Sequence, residues 1–167
     1  MELPLRSYTL SDFKLVPNGN LKLSKKFYAK GTANVKLNSL NVIEEGVQLR
    51  GDLGLISMAQ STIIDKEALI RPGLSASSPL SYKHVKIGAN CYIGKKSIIS
   101  ALTVGNNTYI GHNCIIGDRA EIGSCVKILD GSYVPPDSKL VDNGIYSGVP
   151  GKIMNLKFLS FFFLYFN

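Results

Sequence analysis

Two histidines and three cysteines are the side chains of this 167-residue chain best suited to catalysis or metal binding: His84, His112, Cys91, Cys114 and Cys125. A histidine can act as general base or as metal ligand, provided neighbouring groups orient its ring. His84 ends the stretch PGLSASSPLSYKH and is the one candidate for the base of an acyl transfer, although no carboxylate stands beside it in sequence to hold its ring. His112, in IGHN, occupies a turn position and reads as a solvent-facing turn residue. The cysteines show neither C-x-x-C spacing nor the even count of a secreted disulfide framework, so they read as small corner or core residues in a reducing compartment. Paired catalytic carboxylates and a phosphate-cradling glycine loop are both missing from the sequence.

The elements that must position these residues follow from a repeat. Aliphatic residues recur every sixth position at Ile87 and Ile93, then at Val104, Ile110, Ile116, Ile122, Ile128, Val134 and Leu140. Ile98 lies six before Val104, which places a one-residue slip between Ile93 and Ile98. Glycine follows the aliphatic residue at Gly88, Gly94, Gly105, Gly111, Gly117 and Gly123. A period of six is neither helical nor a simple alternation; it fits short strands joined by tight turns. Three such sides close a triangular coil of about 18 residues, stacking every third aliphatic residue on its predecessor inside a dry prism. The glycine, asparagine and aspartate residues of the turns are expected to supply positive φ. Upstream the period continues more loosely through Ile43, Leu49 and Leu55 and through Ile63 and Leu69.

These patterns predict an all-β, single-stranded parallel β-helix over residues 35–152. An irregular segment and coil cap occupy 1–34, an excursion loop 72–84, and a short apolar tail 153–167. The excursion contains two prolines and four serines and breaks the period. A chain this short, with 45% hydrophobic residues, supports one domain. The tail is interrupted by Asn155 and Lys157 and falls short of the roughly 20 residues a membrane helix needs, so no membrane insertion is expected. The start MELPLRSYTL has no signal-peptide pattern, which makes the cytoplasm the expected location. Net charge is +7, and seven basic residues face only two acidic ones in the first 36. The lysines alternate with apolar residues as on a solvated strand face, and no nucleic-acid-binding motif accompanies them, so no nucleic-acid partner is expected.

From LRGDL (Leu49–Leu53) to SGVPGK (Ser147–Lys152) the chain resembles the γ-carbonic-anhydrase-like hexapeptide-repeat family, which implies a left-handed coil. Periodicity alone does not fix the hand. Against the family's three metal-binding histidines, the matching positions here hold Arg71, Lys95 and Ser100. Two cations would repel a zinc ion that requires neutral imidazole, thiolate or carboxylate ligands. The resemblance therefore implies no metal, no cofactor and no catalytic residue. Arg50 and Asp52 match positions that join subunits in metal-binding relatives, and Arg50, Asp52, Arg71 and Lys95 are the expected partner-binding residues.

The segment CVKILDGSYVPPDSKLVDNGIYSGVPG (Cys125–Gly151), with MEL at the start, LRGDL and ALIRP (Ala68–Pro72), resembles more closely the family of dynactin subunit 5. That resemblance implies a non-enzymatic, cytoskeleton-associated scaffold of the dynactin pointed end. Its implied neighbours are dynactin subunit 6, the pointed-end actin-related protein and the 62-kDa dynactin subunit. Its implied role is to help bind dynein cargo adaptors in microtubule-based transport. A hexapeptide-repeat acyltransferase or a γ-carbonic-anhydrase-like enzyme is the alternative, resting on architecture alone.

Overall fold

Strands of only two to four residues, each with one side chain turned inward and the next outward, build the molecule. The computed structural model describes residues 13–16, 19–78 and 81–155. The amino-terminal MEL and residues 156–167 of the apolar tail lie outside them. The strands stack in parallel into three flat faces of one left-handed parallel β-helix, as the repeat and its resemblance led us to expect. Face A runs from Leu21–Ser24 through Val42–Ile43, Ile63–Ile64, Tyr92–Ile93, Tyr109–Ile110 and Lys127–Ile128 to Ile145–Ser147. Face B carries Tyr28–Lys30, Gln48–Arg50, Leu69–Ile70, Ile98–Ile99, Ile115–Ile116 and Tyr133–Val134. Face C carries Val35–Leu37, Ile56–Met58, Val85–Ile87, Thr103–Val104, Glu121–Ile122 and Lys139–Leu140.

The prism interior is a set of aliphatic ladders. Ile43, Ile64, Ile93, Ile110 and Ile128 line face A from within, and Leu49, Ile70, Ile99 and Ile116 line face B, all fully buried. Each such side chain contributes about 1.5–3 kcal/mol by leaving water. Ile99, rather than Ile98, is the inward residue, so six positions separate Ile93 from Ile99 and five separate Ile99 from Val104. The missing residue therefore falls at the corner after Ile99, not between Ile93 and Ile98. In the same way Ile56, Ile64 and Ile70 point inward where the period had selected Leu55, Ile63 and Leu69.

Gly46 and Gly131 supply positive φ as expected, but the glycines that follow the inward aliphatic residue have a different cause. Gly94 and Gly105 do not adopt positive φ; a Cβ on either would sit 2.5 Å from the backbone of the next coil, at Gly111 and Gly123 respectively. Close approach between coils selects glycine there. The left-handed residue comes two positions later, at Asn90, Lys96, Asn107, Asn113, Arg119 and Cys125. Asparagine tolerates that region better than most residues.

Parallel pairing begins earlier than residue 35: Lys22 and Leu23 pair with Val42 and Ile43, and Tyr28–Lys30 pairs with Gln48–Arg50. This first coil lacks the aliphatic-glycine signature, which is why the period did not disclose it. Antiparallel strands close face A at both ends, Phe13–Val16 on Leu21–Ser24 and Lys152–Asn155 on Ile145–Ser147. The excursion contains a small hairpin, Gly73–Leu74 against Tyr82–Lys83.

Candidate functional site

Three of the four expected partner-binding residues lie along the edge between faces B and C. Lys30, Arg50 and Arg71 follow one another up the coils, because Lys30 pairs with Arg50 and Arg71 comes directly after the Leu49–Ile70 pair. Arg50 grips Asp52 with both ends of its guanidinium fork, at 2.8 and 2.9 Å, and Lys30 Nζ stands 3.9 Å from the same carboxylate. The Arg50 hydrogen bonds hold the Asp52 carboxyl below its ordinary pKa. Arg71 Nη2 is 3.6 Å from Asp118 Oδ1. Ser100 occupies the next coil of the same column and is buried. Lys95 does not join them: it sits at the edge between faces A and B, its Nζ 3.9 Å from Glu67. Within one chain, then, Arg71 and Ser100 are neighbours while Lys95 is apart. Two cations and a buried hydroxyl do not fit a zinc ion.

Both histidines are built into the coil corners. His84 Nδ1 accepts the Leu55 N–H at 3.1 Å, and His112 Nδ1 accepts the Lys95 N–H at 2.9 Å. Asparagine, serine and aspartate do the same work at equivalent corners: Asn106 for the Ala89 N–H, Ser124 for Asn106, Asp130 for His112 and Asp142 for Ser124. One coil thus satisfies the free amide of its neighbour through a side-chain acceptor. An acceptor Nδ1 places the proton of a neutral imidazole on Nε2, so each ring turns an N–H toward its surroundings. His112 is a turn residue as expected, but it is half-buried rather than solvent-facing: besides this bond it packs edge-on against Tyr92, whose hydroxyl donates to Asp65 at 2.8 Å.

The cysteines match their reading as corner and core residues. Cys91 and Cys114 are buried and turn their sulfurs to the carbonyls of Gly105 and Leu129 at 3.1 and 3.2 Å. Burial pushes the Cys91 thiol up to about 11 and raises that of Cys114, which suppresses the nucleophilic thiolate.

Sequence reasoning missed the residue that anchors the excursion. Arg119 binds both oxygens of Asp137 at 2.6 Å through Nε and Nη2, and its Nη1 donates to the Leu74 carbonyl of the hairpin. The side chains of Arg119 and Asp137 stand 18 positions apart, one coil, and that separation of opposite charges is the signal that would have found them. An open depression of about 500 Å³ lies on the first two coils of face B, lined by Tyr28, Ala29, Lys30, Gln48, Leu49 and Arg50.

The solenoid has many counterparts of known structure. A hexapeptide transferase family protein from Anaplasma phagocytophilum superposes with a TM-score of 0.65 at 23% identity, over 81% of this chain and 78% of the other. PerB from Caulobacter crescentus, seen with CoA and GDP-perosamine, gives 0.65 at 20% identity over 81% of this chain and 57% of its own. A variant of AntD, an N-acyltransferase from Bacillus cereus, seen with dTDP and coenzyme A, gives 0.67 at 17% identity over 83% and 81%. At these identities the likeness shows a common fold. It also corrects the expectation that the chain is not an enzyme: acyltransferases use this same solenoid, so the lost metal ligands bear on carbonic-anhydrase chemistry only.

In sequence, dynactin subunit 5 of Dictyostelium discoideum is 34% identical over 107 residues, 64% of this chain and 54% of that protein. The chain therefore spans about half the length of this curated relative. The family model of dynactin subunit 5 matches residues 1–157, nearly the whole chain, across the coils and corners described above, and the chain belongs to that family.

Proposed function

We propose that this chain is a subunit of dynactin, placed at the pointed end and held there by its solenoid faces. The observation that carries the reading is the family match over residues 1–157. Its neighbours are dynactin subunit 6, the pointed-end actin-related protein and the 62-kDa dynactin subunit, and its role is to help dynactin take dynein cargo adaptors in the cytoplasm. A solenoid of short strands suits this work because it offers long flat faces and leaves strand edges at its ends. Arg50, Asp52 and Arg71 line one edge of face B, and Lys95 lies at the other, where a neighbour could reach them. Affinity purification of the tagged full-length chain under gentle lysis, read by quantitative mass spectrometry, should return dynactin subunits. Recovery of none of them would overturn the reading.

Acyl transfer from a coenzyme A thioester is the second reading, favoured by the shared architecture of the CoA-bound acyltransferases. His84, exposed at the foot of the excursion, is the histidine placed to take part. To act as a base at Nδ1 it must first release the Leu55 amide. Saturable binding of acetyl-CoA, with acceptor-dependent thioester loss that His84→Ala abolishes, would establish this activity. Calorimetry showing no CoA binding would exclude it.

A further inference from the structure

We infer that the outer side of face B is a docking surface for a partner protein segment that carries a row of apolar side chains bordered by carboxylates. This rests on the dynactin reading above and names which face of the solenoid the partner meets.

The outward positions of face B are in register from the first coil to the last: Tyr28, Gln48, Leu69, Ile98, Ile115 and Tyr133. Five of the six are apolar or aromatic, with Tyr28 69% and Ile115 46% exposed. Nothing in the coil geometry requires this, because the matching positions of face C are Lys36, Ser57, Lys86, Thr103, Glu121 and Lys139. A contiguous apolar row on the outer side of a solenoid, exposed at Tyr28 and Ile115, marks a surface that meets a partner. Face A also has apolar outward residues, Val42, Ile63, Tyr92, Tyr109 and Ile145, but each is half-buried where Tyr28 and Ile115 are exposed. Its tyrosines are engaged within the chain: Tyr92 stacks on Tyr109 at 5.0 Å and bonds Asp65, and Lys127 lies over the Tyr109 ring.

The charge beside the row identifies the partner's chemistry. Lys30, Arg50 and Arg71 form the adjoining column over the first three coils, answered within the chain by two carboxylates, Asp52 and Asp118. Lys30 is 74% exposed and only loosely held, so the edge carries an unmet positive charge. The open depression lined by Tyr28, Lys30, Leu49 and Arg50 lies where the apolar row meets this basic column, so apolar and cationic groups stand side by side there.

A second copy of this chain fits poorly. It would bring the same basic column and a net charge of +7. Six strands spaced about 4.8 Å, each about 15 Å wide, also offer roughly 400 Å², near half of the ~800 Å² per partner of a stable pairwise complex. A contact of that size holds a subunit that has further neighbours in an assembly.

The test uses the tagged full-length chain in cells with intact dynactin. Ile115→Glu should lower recovery of dynactin subunits about tenfold or more, as for a residue near the centre of an interface. Lys30→Glu should lower it about threefold and weaken its salt dependence. Thr103→Glu and Lys86→Glu on face C should leave it unchanged. Circular dichroism confirms that each variant is folded, and Ile115→Ser replaces Ile115→Glu should that one not fold. A photo-crosslinking residue at position 115 should capture a segment rich in apolar and acidic residues from another protein, and one at position 86 should not.

Full recovery with Ile115→Glu or its serine substitute, equal losses on faces B and C, or a crosslink to a second copy of this chain would each overturn the proposal. Should the unaltered chain recover no dynactin, the functional reading fails by itself. The crosslink at position 115 then decides the docking surface: a captured acidic, apolar segment supports it and none overturns it.

Discussion

Faces B and C are built on the same coils, share the same buried aliphatic layer and differ almost entirely on their outer sides. Under face B lie Leu49, Ile70, Ile99 and Ile116; under face C lie Met58, Ile87, Val104 and Ile122. Outside, face B shows Leu69, Ile98 and Ile115 in a row where face C shows Lys86, Thr103 and Glu121. Folding constrains only the inward residue of each strand, so the outward one is left to record what each face meets. Face C meets water. Face B carries apolar side chains that the fold itself does not use.

If that division holds, the two faces should be equivalent from within. Ile116→Ala beneath face B and Ile122→Ala beneath face C each remove a buried side chain from the same kind of ladder. Each should cost about 2–5 kcal/mol in denaturant unfolding. A cost for Ile116→Ala well below that for Ile122→Ala would break the comparison, because it would show face B already loosened on its inner side. The edge between the two faces comes next. Arg119→Ala removes the clamp from the Asp137 carboxylate to the Leu74 carbonyl, and limited proteolysis should then cut within residues 73–83 several times faster while the coils stay intact. An unchanged cleavage rate would mean that the hairpin is held by its packing over Asp118 and Ser100 instead.

The corner between faces A and B provides the contrasting edge, since no excursion leaves it. His112→Leu deletes the acceptor for the Lys95 amide and should cost about 0.5–1.5 kcal/mol, while His112→Asn, which can still accept that bond, should recover most of it. Thermal melts of the two variants distinguish an amide cap from a ring needed for its aromatic contact with Tyr92.

How legible all this was in the sequence depends on whether a strand carries one aliphatic residue or two. Where a single one stands in the strand, as at Ile110, Ile122 and Ile128, the period of six selects the inward residue correctly. Where the strand is a doublet, as at Ile63–Ile64, Leu69–Ile70 and Ile98–Ile99, both sides of the sheet are aliphatic and hydropathy cannot choose between them. Of these doublets Leu69–Ile70 and Ile98–Ile99 put an aliphatic residue on the outer side of face B and Ile63–Ile64 on that of face A, while at Ile115–Ile116 the period did select the inward residue. The corner contacts were harder to foresee. Arg119 meets Asp137 only because a coil there is 18 residues long, and one coil earlier, from Ile93 to Ile110, it is 17. The step from absent metal ligands to absent catalysis failed for a different reason: it treated one chemistry of the fold as the whole of what the fold supports.

The smallest expected effect separates the edge of face B from the open surface of face C through pH. Arg50 and Arg119 hold the Asp52 and Asp137 carboxyls below their ordinary range. A carboxyl depressed on folding adds stability that is fully present above its unfolded pKa, near 4, and is lost as pH falls through the lower folded value. Melting temperatures should therefore decline as the pH falls below about 4. Asp137→Asn should lower stability at neutral pH and make the acid decline shallower, since one of the carboxyls that binds a proton on unfolding is gone. Both pairs lie at the surface, where solvent screens them, and added salt should diminish the difference. On face C, Glu121→Gln removes a carboxylate 3.3 Å from Lys139 in an exposed pair, and the neutral-pH melting temperature should barely move. An equal loss from Glu121→Gln and Asp137→Asn at neutral pH would show that the forked arginine pair at the edge is worth no more than an open surface contact. The distinction between the two faces would then rest on the apolar row of face B alone.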